Sequence, residues 1–217
     1  MDPYAGTFLE GVPHDQLPAT VERRSARTVA GERPEIHELA VVESPNQVGP
    51  GTRIWRWTLV RDNCPIGMDC NIGSHVIVGP DVLIADFCKV EDGAKLYGPL
   101  TVMEGVFIGP GAVVSNDRHP SAKVRDWKAT GPRTVIEEGA AIGANAVIMP
   151  GIRIGAGAVI GAGCVVTTDV PPGETWVGVP GRWVSRPEIR QVIPVIHVPP
   201  GGIPAMLLGN QMAHPGR

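Results

Sequence analysis

The sequence predicts an all-β chain wound as a parallel β-helix, and three observations predict it. Aliphatic residues recur every six positions. Glycine follows many of them at a fixed offset. The composition is glycine-rich and aromatic-poor yet strongly aliphatic. Stepping by six from Ile36 meets Ile36, Val42, Val48, Ile54, Val60, Ile66, Ile72, Val78, Ile84, Val90, Leu96, Val102, Ile108 and Val114 without a miss. The series resumes at Ile136, Ile142, Ile148, Ile154, Ile160 and Val166. Neither a 3.6-residue helix nor a free strand of period two produces a period of six. A coil of three short strands, six residues to a side, does. Three such repeats per coil give about six to seven coils.

Within each repeat the aliphatic residue is expected to point inward. The fifth position is small or aliphatic, as at Val76, Val82, Ala94, Val106, Ala112, Ala146 and Ala158, and packs beside it. The position after the aliphatic is often glycine, as at Gly49, Gly67, Gly73, Gly79, Gly109, Gly143, Gly155 and Gly161. These are read as corner residues in need of positive φ. The four cysteines, Cys64, Cys70, Cys88 and Cys164, all fall on the fifth position. They read as small buried hydrophobes, and four in a chain of this length make no disulfide framework.

The 217 residues suffice for one domain with a sizeable core. A formal net charge of −3 gives no pull toward nucleic acid or an anionic membrane. No apolar run reaches the roughly 18 residues that span a bilayer. The start of the chain lacks a basic stretch followed by an apolar one, so a cytoplasmic location is expected. Residues 1–33 show no period and read as an irregular N-terminal arm. The β-helix is expected over 34–170. Prolines at 171 and 172 are expected to end it, leaving 171–217 as a C-terminal extension.

From Val114 to Ile136 the sixfold count loses step, so a loop over 115–134 leaves the coil. It begins Ser115-Asn116-Asp117-Arg118-His119-Pro120 and is the longest polar departure in the repeat. Long loops on a rigid scaffold are where function collects. Imidazole, with an ordinary pKa near 6.5, suits proton transfer at neutral pH. The alternative is a histidine merely exposed on a loop.

The segment Ile66 to Val166 resembles the hexapeptide-repeat acyltransferase family. That resemblance implies a left-handed parallel β-helix, an exception to the right-handed crossover rule, and a homotrimer with active sites between neighbouring helices. It implies acetyl-CoA as co-substrate, with no metal expected. The run from Ile108 to Val114 followed by His119-Pro120 resembles the galactoside and maltose O-acetyltransferases, whose catalytic histidine lies in such a His-Pro. Asn116-Asp117-Arg118 followed by Pro120 resembles the nucleotide-linked 3-amino-sugar N-acetyltransferases, which carry an aromatic residue where His119 stands.

On that footing His119 is the expected general base. Asn116 or Asp117 would orient it or the substrate. In the amino-sugar branch an Asn-Asn pair stands where this chain has Asp92-Gly93, and the departing thiolate can take the proton. Asp92 could accept from the amine in place of the asparagine, with Glu91 the lesser candidate; a tight Asp-Gly corner is the plain reading. Coenzyme A is expected along the small residues Gly143, Ala144, Gly161 and Ala162. Val179-Pro180-Gly181-Arg182 resembles the family's ending, whose basic residue lies near the coenzyme's phosphates. Arg182 is therefore the phosphate candidate and Arg186 the second.

Trp55-Arg56-Trp57 stands where the amino-sugar branch has a Trp-His-aromatic run, and reads either as a stacking surface for a base or as a cap on an early coil. The expected reaction is transfer of an acetyl group from acetyl-CoA to the amine of a nucleotide-diphosphate-linked amino sugar. O-acetylation of a sugar or antibiotic and a purely structural β-helix subunit are the alternatives. A zinc-dependent anhydrase of the same shape is disfavoured by the spacing of His37, His75 and His119.

Overall fold

Repeats this short can make only two- or three-residue strands, so each strand must be held by its neighbours in adjacent coils rather than along its own length. The computed structural model describes residues 33–123 and 132–184, and its strands are of that size throughout. They stack in three parallel ladders, one per face of a triangular prism. On the first face Ile36, Ile54, Ile72, Val90, Ile108, Ile142 and Ile160 lie in register. On the second the ladder is Val42, Val60, Val78, Leu96, Val114, Ile148 and Val166. On the third it is Val48, Ile66, Ile84, Val102, Ile136, Ile154 and Val170. The result is a β-solenoid of about seven turns.

From Ile54 upward these ladder residues are all 2% exposed or less. Burying each is worth about 1.5–3 kcal/mol. Every coil draws that stabilisation from the coils above and below it. The fifth positions complete the core. Five of them that carry a donor use it in one way. Thr52 and Thr58 hydroxyls donate to the carbonyls of Gly67 and Gly73, both at 2.6 Å. The Cys64, Cys70 and Cys88 thiols do the same to Gly79, Ala85 and Met103 at 2.7, 3.1 and 3.1 Å. All four cysteines are buried and unbridged. Burial pushes the Cys64 thiol up to about 11, so it stays protonated at neutral pH.

The corner glycines correct the sequence reading. Where a corner has a residue with positive φ, it stands three after the aliphatic, two beyond the expected place. It is Gly51, Asn63, Asp69, Asp81, Gly93, Gly105, Gly111, Gly139, Asn145, Gly151, Gly157 and Gly163 at most corners, and Trp57, His75 and Phe87 at three others. This is the position of a tight turn that favours Gly, Asn or Asp. The glycines directly after the aliphatic lack positive φ and are glycine for another reason. A Cβ on Gly49 would lie 2.6 Å from the Gly67 carbonyl carbon, and one on Gly109 2.7 Å from the Ala144 nitrogen. There the backbones of successive coils approach too closely for a side chain.

The stacking continues past Pro171 and Pro172. Thr175 and Trp176 lie parallel on Val159 and Ile160. The chain then turns back, pairing Thr175–Val177 antiparallel with Arg182–Val184. Trp176 packs against the core at this end. Residues 1–32, which include nearly all of the expected arm, the loop segment 124–131, and residues 185–217 with Arg186 and the expected tail, lie outside the described residues. No helix among the described residues is long and apolar enough to cross a membrane.

Candidate active site

The polar loop is an insertion at one corner of an otherwise regular coil. Thr101 pairs with Val135 and Val102 with Ile136, in the register that joins Leu83 to Thr101 and Ile84 to Val102 one coil below. The ladder is therefore unbroken, and the lost sixfold step reflects extra residues between the second and third faces. Two arginines pin the loop's ends. Arg118 donates through Nε and Nη2 to the Pro150 carbonyl at 3.1 and 2.8 Å. Arg133 binds the Asp81 carboxylate at 2.6 Å and the Leu100 carbonyl at 3.1 Å. Nothing in the sixfold pattern signals these staples, because each joins a side chain to a group in another coil.

Between the staples, Asp117 Oδ1 accepts from the His119 backbone N–H at 2.7 Å. This is an Asx turn, so Asp117 orients the backbone that presents His119 and its carboxylate does not hold the imidazole. Asn116 is half-buried, and His119 is exposed beside the pinned Arg118.

Asp92 lies on a different corner, between the first and second faces. Its Oδ1 accepts from the Ser74 N–H of the coil below at 2.7 Å. Asp86 does the same for Met68 at 2.9 Å on another corner. One oxygen of Asp92 is therefore a structural tie, as the Asp-Gly turn reading expects. The same corner carries Gly143, Ala144, Gly161 and Ala162. Backbone N–H groups run up it as a ladder: Gly111 to the Asp92 carbonyl, Asn145 to Pro110, and Gly163 to Ala144. A Cβ on Gly143 would lie 2.5 Å from the Ala162 nitrogen, so close approach between coils suffices to explain that glycine. Arg182 is exposed on the terminal hairpin opposite Val177. The hairpin spans this corner, since Val165 N–H donates to Gly178 and Gly181 N–H to Val165. Arg182 Nη1 donates to the neighbouring Gly181 carbonyl at 2.8 Å.

The predicted residues thus form two groups. Asp92, the Gly/Ala pairs and Arg182 share one ridge. Asn116, Asp117 and His119 share the next. The second face separates them in a single chain, and its outward column is Val41, Leu59, Ile77, Lys95, Val113, Val147 and Val165. Six extended residues set that face at no more than about 20 Å across. Among the described residues no group of three His, Cys, Asp or Glu could hold a metal ion.

Residues 133–168 match the family described as bacterial transferase hexapeptide, six repeats. Over 78 residues the chain is 31% identical to the bifunctional protein GlmU of Prochlorococcus marinus, covering 36% of this chain and 17% of that protein. Over 73 residues it is 40% identical to a probable mannose-1-phosphate guanylyltransferase of Oryza sativa subsp. japonica, covering 34% and 18%. The chain therefore matches less than a fifth of the length of these curated relatives.

Among solved structures it is similar to the acetyltransferase domain of PglB from Neisseria gonorrhoeae in complex with acetyl coenzyme A. The TM-score is 0.51 and the identity 22%, over 70% of this chain and 58% of that one. It is also similar to a point mutant of AntD, an N-acyltransferase from Bacillus cereus, in complex with dTDP-4-amino-4,6-dideoxyglucose and coenzyme A. There the TM-score is 0.51 and the identity 20%, over 71% and 80%. Residues 133–168 thus carry the hexapeptide repeat of the matched family. The fold of the chain is the left-handed parallel β-helix.

Proposed function

We propose that this chain transfers an acetyl group from acetyl-CoA to the amine of a nucleotide-diphosphate-linked amino sugar, and that it does so as a homotrimer with shared sites. The observation that carries the proposal is the division of the candidate residues between two ridges of one chain. A site using both needs the loop ridge of one copy against the Gly/Ala ridge of the next. The intervening face, one outward column of which is apolar except for Lys95, supplies a surface for such packing. The similar folds that hold acetyl-CoA, or coenzyme A with an amino-sugar nucleotide, support the substrate classes.

Each residue then has a chemical task. Gly143, Ala144, Gly161 and Ala162 carry nothing larger than a methyl group, and Asn145 is the one larger side chain among them, so a pantetheine arm can lie against backbone there. Arg182 offers a forked set of donors for phosphate at the end of that ridge. Asp92 has one oxygen committed to Ser74 and a second to accept from the sugar amine. His119 takes the proton that the attacking nitrogen loses as the C–N bond forms, and the thioester C–S bond breaks to release the coenzyme thiolate. That proton then passes to the thiolate.

The test is release of free thiol from acetyl-CoA across a panel of nucleotide-linked amino sugars. Amine-dependent thiol release is expected. Release no faster than the hydrolysis of acetyl-CoA alone, with every amine and hydroxyl acceptor offered, would refute the enzymatic reading.

A further inference from the structure

The ridge that carries Asp92 continues downward into an aromatic stack. Directly below Gly93, one coil at a time, stand His75 and Trp57. Their rings are stacked with centroids 4.8 Å apart and planes 25° from parallel. Both residues have positive φ, 58° and 59°, a conformation that bulky residues rarely adopt. Higher on the same ridge the equivalent places are Gly93, Gly111, Asn145 and Gly163, which take it with little strain. Local strain of this kind collects at functional sites.

The Arg56 guanidinium carbon lies 5.6 Å from the Trp57 ring centre, and Arg56 makes no ion pair among the described residues. The Trp55 indole is held by its N–H donating to Asn71 Oδ1 at 2.8 Å. It forms a wall of an open cleft of about 420 Å³ that also includes His37 and the Arg53–Glu35 ion pair. Trp55 and Trp57 remain 42% and 52% exposed. Two fixed indoles left in water beside an unpaired guanidinium make a surface that stacks a flat ring and binds an adjacent anion.

We infer that the Trp55-Arg56-Trp57 turn, with His75, is the nucleoside-diphosphate subsite. The base stacks on the indoles and Arg56 meets the diphosphate. The inference rests on the acyl transfer proposed above and adds the place where the substrate's nucleotide is read. Its spacing agrees: two coils separate Trp57 from Asp92, about 10 Å at the usual strand separation, the reach of a ribose and diphosphate between base and sugar.

The experiment is calorimetric titration of the full chain with dTDP, UDP, GDP, inorganic pyrophosphate and coenzyme A. The variants are Trp57→Gly, a residue this turn position accepts at Gly93, Trp57→Asn, matching Asn145, and Arg56→Gln. Loss of the indole is expected to weaken the best-bound nucleoside diphosphate about tenfold to a hundredfold, with coenzyme A affinity unchanged as the control for folding. Arg56→Gln is expected to weaken pyrophosphate and nucleoside diphosphate alike. Wild-type affinity for nucleoside diphosphates in both Trp57 variants would overturn the inference. So would failure of all three to bind a protein that still acetylates amino sugars. If coenzyme A itself does not bind while the Trp57 variants lose nucleotide, the acyl-transfer reading fails and the subsite stands.

Discussion

Replacing His119 with alanine is expected to lower kcat by about 10²–10⁴ while leaving coenzyme A affinity unchanged. The substitution is clean in structural terms. Asp117 holds this part of the loop through the backbone N–H of residue 119, which alanine keeps, and Arg118 still anchors to the Pro150 carbonyl. Only the imidazole is removed. The pH profile carries the more specific signature: if His119 accepts the proton, the limb of the kcat profile that reports a base disappears in the variant. A kcat and pH profile unchanged from the wild type would move proton removal to the departing thiolate and leave the histidine without a catalytic role.

Gly143→Val is expected to destabilise the fold by at least about 3 kcal/mol, beyond the usual cost of overpacking because backbone meets backbone. The new Cβ would lie 2.5 Å from the Ala162 nitrogen and 2.7 Å from the Ile160 carbonyl oxygen. The same carbonyl accepts from Gly143 N–H at 2.7 Å, so the rungs cannot part without losing ladder bonds. For a chain of this size the midpoint of thermal unfolding should fall by about 6–12 °C. Gly139→Ala is the contrast. Its Cβ meets nothing within 4 Å, and only its φ of 65° opposes the change, at about 1–2 kcal/mol. Equal losses in the two variants would contradict the assignment of two kinds of corner glycine.

The inward face is legible in the sequence because a solenoid repeats its physics. Every sixth residue meets the same interior, so Ile36 to Val166 announce the ladders directly. The reason for the glycines is not legible. Gly49 and Gly143 mark a close approach between coils 18 residues apart or more, whereas the sequence suggests a local turn. The turn position itself is obscured because Trp57, His75 and Phe87 occupy it against their conformational preference. The loop is visible as lost register, but its staples, Arg118 to Pro150 and Arg133 to Asp81, join distant parts of the chain and leave no periodic trace. Asp92 and His119 look like neighbours in function. The structure places them on separate corners, a consequence of three faces per coil that no spacing argument along one strand reveals.

Shared sites are most directly tested by mixing two inactive chains. One carries His119→Ala. The other carries Gly93→Trp, which extends the Trp57–His75 stack into the open corner beside Asp92, where a Cβ meets only Gly111 nitrogen at 4.0 Å. Random co-assembly pairs an intact loop with an intact ridge in about a quarter of the sites of a cyclic trimer. The account predicts that co-expressed chains recover about that fraction of wild-type acetyl transfer, far above the residual rate of either variant alone. Mixed assemblies as inactive as their parents would contradict it, and would return loop and ridge to separate roles.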